Sequence, residues 1–257
     1  MTGASRRRVL VTGGGRGLGA AIVGALAAAG HDVTFTFHAS AGAAAAAANQ
    51  LATAYPQQPQ QTFTALRVDL ADRDAVAAFT AALGNDAPFS GFVHNAGHTY
   101  DALAMMMDQS KAEVAMQVNY WAFTRIAGAL ARAMMRAKDG RIAVIGSVTA
   151  LQANQGNAAY AASKAALLGY ARTLAIEVAR SGVTVNYVAP GFIDTEMMAP
   201  YAAYRERMES QIPARRFARP EEIAALVTFL MSPGASYLTG AVLPVDGGLS
   251  AAIGVHR

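Results

Sequence analysis

An α/β fold is predicted for these 257 residues: a doubly wound parallel sheet of about seven strands with helices on both faces. Three observations predict it. Short β-branched or apolar runs alternate with longer helical patterns from end to end. Most of those runs are nearly continuous in apolar residues, as strands covered on both faces should be. A glycine-rich turn stands between the first run and the first helical stretch. Together they describe a Rossmann-type sheet wound with right-handed crossovers.

The first strand is read over Arg8–Thr12, followed by glycines and a helix near 18–29. Val33–Phe37 is the second strand. A helix near 41–54 follows, and its Ala43–Ala48 run uses the best helix former. Tyr55–Gln61, with Pro56 and Pro59, is a loop to the third strand, Phe63–Val68. A helix near 72–83, the strand Gly91–His94, a long helix over 111–137 and the strand Arg141–Ile145 come next. A helix over 157–180 leads to the strand Thr184–Val188. Residues 189–219 contain Pro190-Gly191, Pro200 and Pro213 and break the rhythm. This insertion falls where a substrate lid is expected, beyond the carboxyl ends of the strands. A helix near 220–231 and the strand Ala241–Val245 close the pattern. No Pro/Gly/Ser linker or charge block divides the chain, so residues 1–257 are read as one domain.

Composition narrows the functions. With 53% hydrophobic and 15% charged residues, a packed core is expected rather than disorder. The absence of cysteine excludes disulfides, thiolate metal sites and cysteine nucleophiles, and no metal is expected. A formal charge of +4 without interleaved basic and aromatic residues does not suggest nucleic-acid binding. Ser5-Arg6-Arg7-Arg8 before an apolar stretch resembles a twin-arginine export signal, but cleavage there would destroy the glycine loop. It reads as the basic start of a strand. No run of 18 apolar residues free of breakers occurs, so neither a membrane span nor a membrane partner is expected, and the expected location is cytoplasmic.

Thr12-Gly13-Gly14-Gly15-Arg16-Gly17-Leu18-Gly19 follows the first strand and opens a helix. Glycines let the backbone approach a phosphate, and the helix start offers free N–H groups to the anion. The turn is therefore read as a dinucleotide site. A carboxylate ending the second strand would bind the ribose 2′-hydroxyl of NAD. Here the sequence is Phe37-His38-Ala39-Ser40, and Asp32 lies at the wrong end of the strand. An acid would repel a 2′-phosphate and Arg16 would attract it, so NADPH is expected rather than NADH. His38 and Ser40 are either helpers in this or plain loop residues.

Tyr160 and Lys164 stand four apart, thirteen residues beyond Ser147. On a helix such a pair shares one face, and an ammonium there should lower the phenol pKa. A hydroxyl from Ser147 could hold a carbonyl oxygen beside the phenol. The trio reads as machinery for protonating a ketone or deprotonating an alcohol.

In order, the motifs are Thr12-Gly13-x-x-x-Gly17-x-Gly19, Asp69, Asn95-Ala96-Gly97, Asn119, Ser147, Tyr160-x-x-x-Lys164 and Pro190-Gly191. The set resembles the short-chain dehydrogenase/reductase family over nearly the whole chain. Within that family it is most similar to the 3-oxoacyl-[acyl-carrier-protein] reductases. The segments Asn95–Asp101, Val188–Thr195 and Val245-Asp-Gly-Gly248 carry that nearer likeness.

The resemblance implies roles. Ser147 would hydrogen-bond the substrate carbonyl, and Tyr160 would give its proton to the developing alkoxide. Lys164 would lower the Tyr160 pKa and hold the nicotinamide ribose, while Asn119 would anchor a water relaying protons to Lys164. Asp69 would contact the adenine with Leu70 beside it, unless Asp69 is only a helix cap. Asn95, Ala96 and Gly97 would line the adenosine ribose. Pro190-Gly191, Ile193 and Thr195 would meet the nicotinamide. His94 stands where these reductases usually have asparagine and reads as a strand-end residue with a satisfied ring. Asn157 either contacts substrate or caps the helix.

An acyl carrier protein is the implied partner. Arg136 and Arg172, with Arg132, Lys138 and Arg180, are candidates for its docking site; a solvated helix face is the other reading. The two long helices commonly build a dimer contact in this family, and a homotetramer is the expectation. Met105–Met107, Met197, Met198 and Tyr201 either form an acyl pocket or pack as core. Two other functions stay open: reduction of a free small-molecule ketone, and a nucleotide-binding scaffold without catalysis.

Overall fold

The computed structural model describes residues 6–39, 42, 46, 48–49, 53–54, 61–83 and 88–252. Seven parallel strands form one sheet. They are β1 (Arg8–Thr12), β2 (Asp32–Phe37), β3 (Phe63–Arg67), β4 (Gly91–His94), β5 (Gly140–Ile145), β6 (Val183–Pro190) and β7 (Val242–Val245). Their spatial order is 3-2-1-4-5-6-7. The order reverses between β1 and β4, which opens a crevice beyond their carboxyl ends. Thr12 and His94 are paired in register on the two sides of that crevice.

All six residues of β5 and all eight of β6 are buried, which their near-continuous apolar sequence requires. On one face, α1 (Gly17–Ala28) and a late helix pack over Val9, Val11, Val33 and Val93. On the other, two long helices cover Leu10, Phe92, Ile142, Val144 and Val185.

The sequence expectations hold element by element, with differences at the ends. The described residues of the helix expected over 41–54 are helical; its remaining residues and most of the loop over 55–61 lie outside the described set. The helix near 72–83 is α2 (Arg73–Ala82). Its N-cap is Asp72, whose carboxylate accepts from the Asp74 and Ala75 amides. Asp69 is therefore not that cap.

The long helix expected over 111–137 is composite. It comprises α3 (Gln109–Met116), a π-helical turn over Gln117–Trp121, and α4 (Ala122–Ala137). It starts early because Asp108 caps it through the Ser110 and Lys111 amides. A single π turn inside an otherwise regular 3.6-residue pattern leaves no mark in hydrophobic periodicity. The next helix is α5 (Ala158–Val178).

The proline-rich insertion folds as an irregular 3-10 segment over Glu196–Tyr204 and a short α6 (Arg205–Gln211). Arg205 secures it by pairing with Asp194 at 2.8–2.9 Å and stacking on Phe217. The last helix, α7 (Pro220–Met231), packs beside α1.

Candidate active site

The glycine loop binds itself to the neighbouring strand before any ligand is considered. Asn95 Nδ2 donates to the Thr12 and Gly13 carbonyls at 3.3 and 3.0 Å. The Thr12 hydroxyl accepts from the Asn95 and Ala96 amides. A Cβ at Gly19 would stand 1.9 Å from the Gly13 carbonyl oxygen, so only glycine lets the helix close on the loop. Gly17 has φ +52, the left-handed region that glycine enters freely. No side chain caps α1, and its first turn has no acid. Its amides are therefore open to an anion. This arrangement fits a dinucleotide pyrophosphate.

Arg16 is exposed beside the loop and meets Glu196 of the insertion at 3.5 Å. His38 follows β2, and its ring lies 3.3 Å from the Asp69 carboxylate. Asp69 also accepts from the Ala71 amide. Leu70 has its side chain in the core, and its carbonyl accepts from Gln117. Ser40 lies outside the described residues. Thr195 reaches the loop: a Cβ on Gly17 would come 3.6 Å from it. Ile193 bridges to Ala218, and Gly191 is tied to Val245 at the end of β7. Pro190 is the last residue of β6. The described residues expected at a nucleotide site thus line one edge of the sheet.

Across the crevice, Ser147 leaves β5 in an extended conformation. Its oxygen accepts from both the amide and the hydroxyl of Thr149, at 3.1 and 2.9 Å. It also stands close enough to Tyr160 to favour the ionised phenol. Lys164 lies one helical turn beyond Tyr160, fully enclosed. Its ammonium donates to the Ile145 carbonyl at 2.9 Å and sits 5.6 Å from the Tyr160 ring centre.

The Tyr160 pKa lies above, not below, its ordinary value in this arrangement. Burial pushes the phenol up to about 12, against the Ser147 hydrogen bond and with help from the Asp101 charge. Burial also brings Lys164 down to about 8. Tyr160 keeps its proton at neutral pH, as a proton donor must.

Asn119 sits in the π turn with its side chain committed. Its Oδ1 accepts from the His98 amide at 2.7 Å, and its Nδ2 donates to the His98 carbonyl and to Ser163. Its carbonyl takes a hydrogen bond from His94 Nε2 at 3.0 Å. Because that acceptor has no proton, the ring carries hydrogen on Nε2, and Nδ1 accepts from the Thr12 hydroxyl at 3.0 Å. Burial drives His94 down to about 3, so it stays neutral. The ring is satisfied, as the sequence suggested. It joins the glycine loop to the segment that carries Asn119. Gly97 separates Lys164 from Asn119: a Cβ there would lie 3.6 Å from Nζ and 3.7 Å from Oδ1.

Sequence reasoning missed Tyr187. Its phenol accepts from the Ser147 amide and donates to the Lys164 carbonyl, both at 3.1 Å. It thus props two site residues from below. A hydroxyl-bearing ring within a buried strand needs a polar partner, and that was the available signal.

Asn157 stands at the N-cap position of α5, but its side chain makes no capping hydrogen bond. Its amide donates to Asp101 at 2.5 Å and its oxygen accepts from Asn154. Arg136 and Arg172, with Arg132, Lys138 and Arg180, are exposed on or just past α4 and α5. Phe123 is core, stacked near Phe92 and His94, whereas Trp121 is 46% exposed. Met105, Met106 and Met197 are exposed rather than packed as core. Among the described residues there is no cluster of metal-ligating side chains, and no helix is long and apolar enough to cross a membrane.

A phosphate-ready glycine loop facing a Ser–Tyr–Lys cluster defines a nucleotide-dependent oxidoreductase. The comparisons with known proteins agree. Residues 13–250 match a family model described as enoyl-(acyl carrier protein) reductase. The chain is 42% identical over 248 residues to the 3-oxoacyl-[acyl-carrier-protein] reductase MabA of Mycobacterium tuberculosis, covering 95% of this chain and 92% of that protein. It is 38% identical over 249 residues to FabG of Escherichia coli, covering 93% and 96%. Its fold is similar to that of a short-chain dehydrogenase/reductase from Serratia marcescens, with TM-score 0.86, 33% identity and coverage of 95% and 98%. A Beutenbergia cavernae protein described as an NAD(P)-dependent gluconate 5-dehydrogenase, with NADP bound at low occupancy, gives TM-score 0.89 at 34% identity over 96% and 97%. The chain belongs to the short-chain dehydrogenase/reductase family, whose cofactor is NAD(P).

Proposed function

We propose that this chain reduces 3-oxoacyl groups on an acyl carrier protein to the 3-hydroxyacyl products, using NADPH. The observation that carries the reading is the Ser147–Tyr160 hydroxyl pair above an enclosed Lys164. Ser147 lies near enough to act on the Tyr160 phenol, so one carbonyl oxygen would meet both hydroxyls, and the phenol holds its proton at neutral pH. An enoyl substrate would need its proton on carbon, which this pair on one oxygen does not suit. The relatives named 3-oxoacyl-[acyl-carrier-protein] reductase support the same reading.

The nicotinamide, when bound, supplies the hydride. The open amides of α1, with Gly13, Gly15, Gly17, Leu18 and Gly19, would hold its pyrophosphate. Asn95, Ala96 and Gly97 would face the adenosine ribose, and Asp69 the adenine. Lys164 would hold the nicotinamide ribose, with Pro190, Gly191, Ile193 and Thr195 around the carboxamide. NADPH is favoured over NADH because no carboxylate ends β2, His38 follows it, and Arg16 is exposed in the glycine loop.

In the reaction, Ser147 orients the substrate oxygen and Tyr160 protonates it as the alkoxide forms. Lys164 then stabilises the tyrosinate left behind. Residues 189–219 act as a substrate lid, and the exposed Met105, Met106 and Met197 suit an acyl chain. Arg136 and Arg172 would receive an acidic carrier. The exposed Trp121 on the α3–α4 helix fits the dimer contact of a homotetramer.

NADPH consumption with acetoacetyl-carrier protein tests this. Efficient turnover, with higher kcat/KM for NADPH than NADH, is expected; higher kcat/KM for NADH overturns the cofactor reading. Replacing both Arg136 and Arg172 by Glu should lower kcat/KM for carrier-bound substrate about tenfold at low salt. The likeness to a described gluconate dehydrogenase favours one alternative, a free ketone substrate. Turnover of a free ketone with none on the carrier would establish it.

A further inference from the structure

At the mouth of the site one carboxylate ties three segments together. Asp101 ends the loop that begins at Gly97. One of its oxygens accepts from Asn157, just before α5, at 2.5 Å, and the other accepts from the Tyr201 hydroxyl on the insertion. The backbone reinforces the junction: the Ala102 amide donates to the Gly156 carbonyl at 2.8 Å, and Ala102 bridges Asn157.

No basic side chain pairs with Asp101 among the described residues; its partners are a neutral amide and a neutral phenol. The carboxylate acts on both tyrosines near it. It pushes the Tyr201 phenol up to about 12, chiefly through the hydrogen bond, and it adds to the burial that raises Tyr160. A negative charge without a cation as partner among the described residues is therefore bound to Asn157, three residues before Tyr160, and to Tyr201 of the insertion. The nearest enclosed cation, Lys164, lies beneath the Tyr160 ring and its hydrogen bond goes to Ile145.

We propose that Asp101 sets the charge class of the substrate, admitting a neutral 3-oxo ester or thioester and turning away a free 3-oxo carboxylate. This rests on the reading of the site as a carbonyl reductase. In a free 3-oxo acid the carboxylate is separated from the reacting carbonyl by one methylene. Seating that carbonyl against Tyr160 and Ser147 brings a second anion toward Asp101, which is exposed at the mouth, and like charges repel. A thioester carries no charge at that position. The same residue holds Tyr201, so the gate that discriminates by charge is also a latch on the insertion.

Asp101→Asn removes the charge and keeps a polar side chain of the same size. Rates with NADPH are measured on ethyl acetoacetate and on acetoacetate, a neutral and an anionic ketone of similar reach. Asp101→Asn should lower the neutral-to-anionic ratio of kcat/KM by about tenfold. Tyr201→Phe, which loses the latch and keeps the charge, should leave that ratio within about twofold. An unchanged ratio in Asp101→Asn overturns the proposal, as does an equal change in Tyr201→Phe.

A second measurement does not need turnover. Saturation-transfer NMR of acetoacetate with the NADP⁺-loaded enzyme should show binding to Asp101→Asn at least about fivefold tighter than to the parent. Equal binding would sink the idea. If the parent reduces neither ketone and no carrier-bound one, the carbonyl-reductase reading fails, and the binding comparison still decides what Asp101 does.

Discussion

The two ends of the sheet each bury positive charge, and they do it in opposite ways. At the amino-terminal edge, Arg7 is enclosed but fully engaged. It makes a two-pronged pair with Asp139 at 2.6 and 3.0 Å and donates to the Met231 and Ser90 carbonyls. Arg141, equally buried, shares Asp139 and adds the Gly140 and Gly182 carbonyls. Burial works against the Asp139 charge, yet Arg7 and Arg141 hold its pKa low. At the carboxyl edge, Lys164 is just as enclosed and meets one carbonyl and no carboxylate. A paired buried charge locks structure in place; an unpaired one is held ready for chemistry. Side-chain type alone does not tell them apart, but the partners do.

The strongest way to sharpen this contrast is Tyr160→Phe. It should cut reduction about a thousandfold in NADPH-coupled assays while melting within a few degrees of the parent. Lys164→Met should cost about a hundredfold in kcat, with Tm unchanged or raised, because no carboxylate is orphaned. A fall of ten degrees would break the comparison. Arg7→Met should do the reverse. Activity at low temperature should persist, while stability to urea falls by about 3 kcal/mol, since Asp139 loses its principal partner and two carbonyls lose a donor.

The pH dependence is a smaller effect with a definite sign. Lys164 titrates near 8 in the fold and at 10.5 when exposed, so the unfolded chain alone holds that proton between the two. Its contribution to stability therefore rises with pH from about 8 to 10.5. Tyr160 works oppositely from about 10 to 12, where only the fold keeps the proton. Reduction should decline as pH passes about 8 and Lys164 becomes neutral, well before Tyr160 can lose its proton. Lys164→Met should flatten that limb of the kcat profile.

The sheet was legible because its strands are short apolar runs set off by glycine, proline and helical periodicity. Their boundaries agree within two residues for β1 through β5, and β6 runs on to Pro190 because the ladder with β7 continues to Val245. The site was legible wherever a residue's spacing carries its geometry: the glycine loop, and Tyr160 above Lys164 on one helical face. What stayed hidden depends on contacts across the fold. The π turn at Asn119, the Tyr187 prop and the Asp101 junction each join segments far apart in the chain, and periodicity is silent about them. The phenol pKa went the wrong way for a related reason. Spacing gives the neighbour of a group, but not how much water is left around it.

The Thr12–His94–Asn119 chain also bears on how the protein folds. Its three members come from the ends of β1 and β4 and from the π turn, and β1 pairs with β4 only after β2 and β3 have been carried past. Closing that loop is a non-local step, and such steps are slow. The hydrogen-bonded ring of His94 can form only when the central strand pair has closed. An intermediate holding just β1, β2 and β3 would lack the Asn95 and Ala96 contacts that hold the glycine loop, as well as the residues opposite it. Nucleotide affinity should therefore return during refolding only once β1 and β4 have paired, and its appearance would time the closure of the sheet.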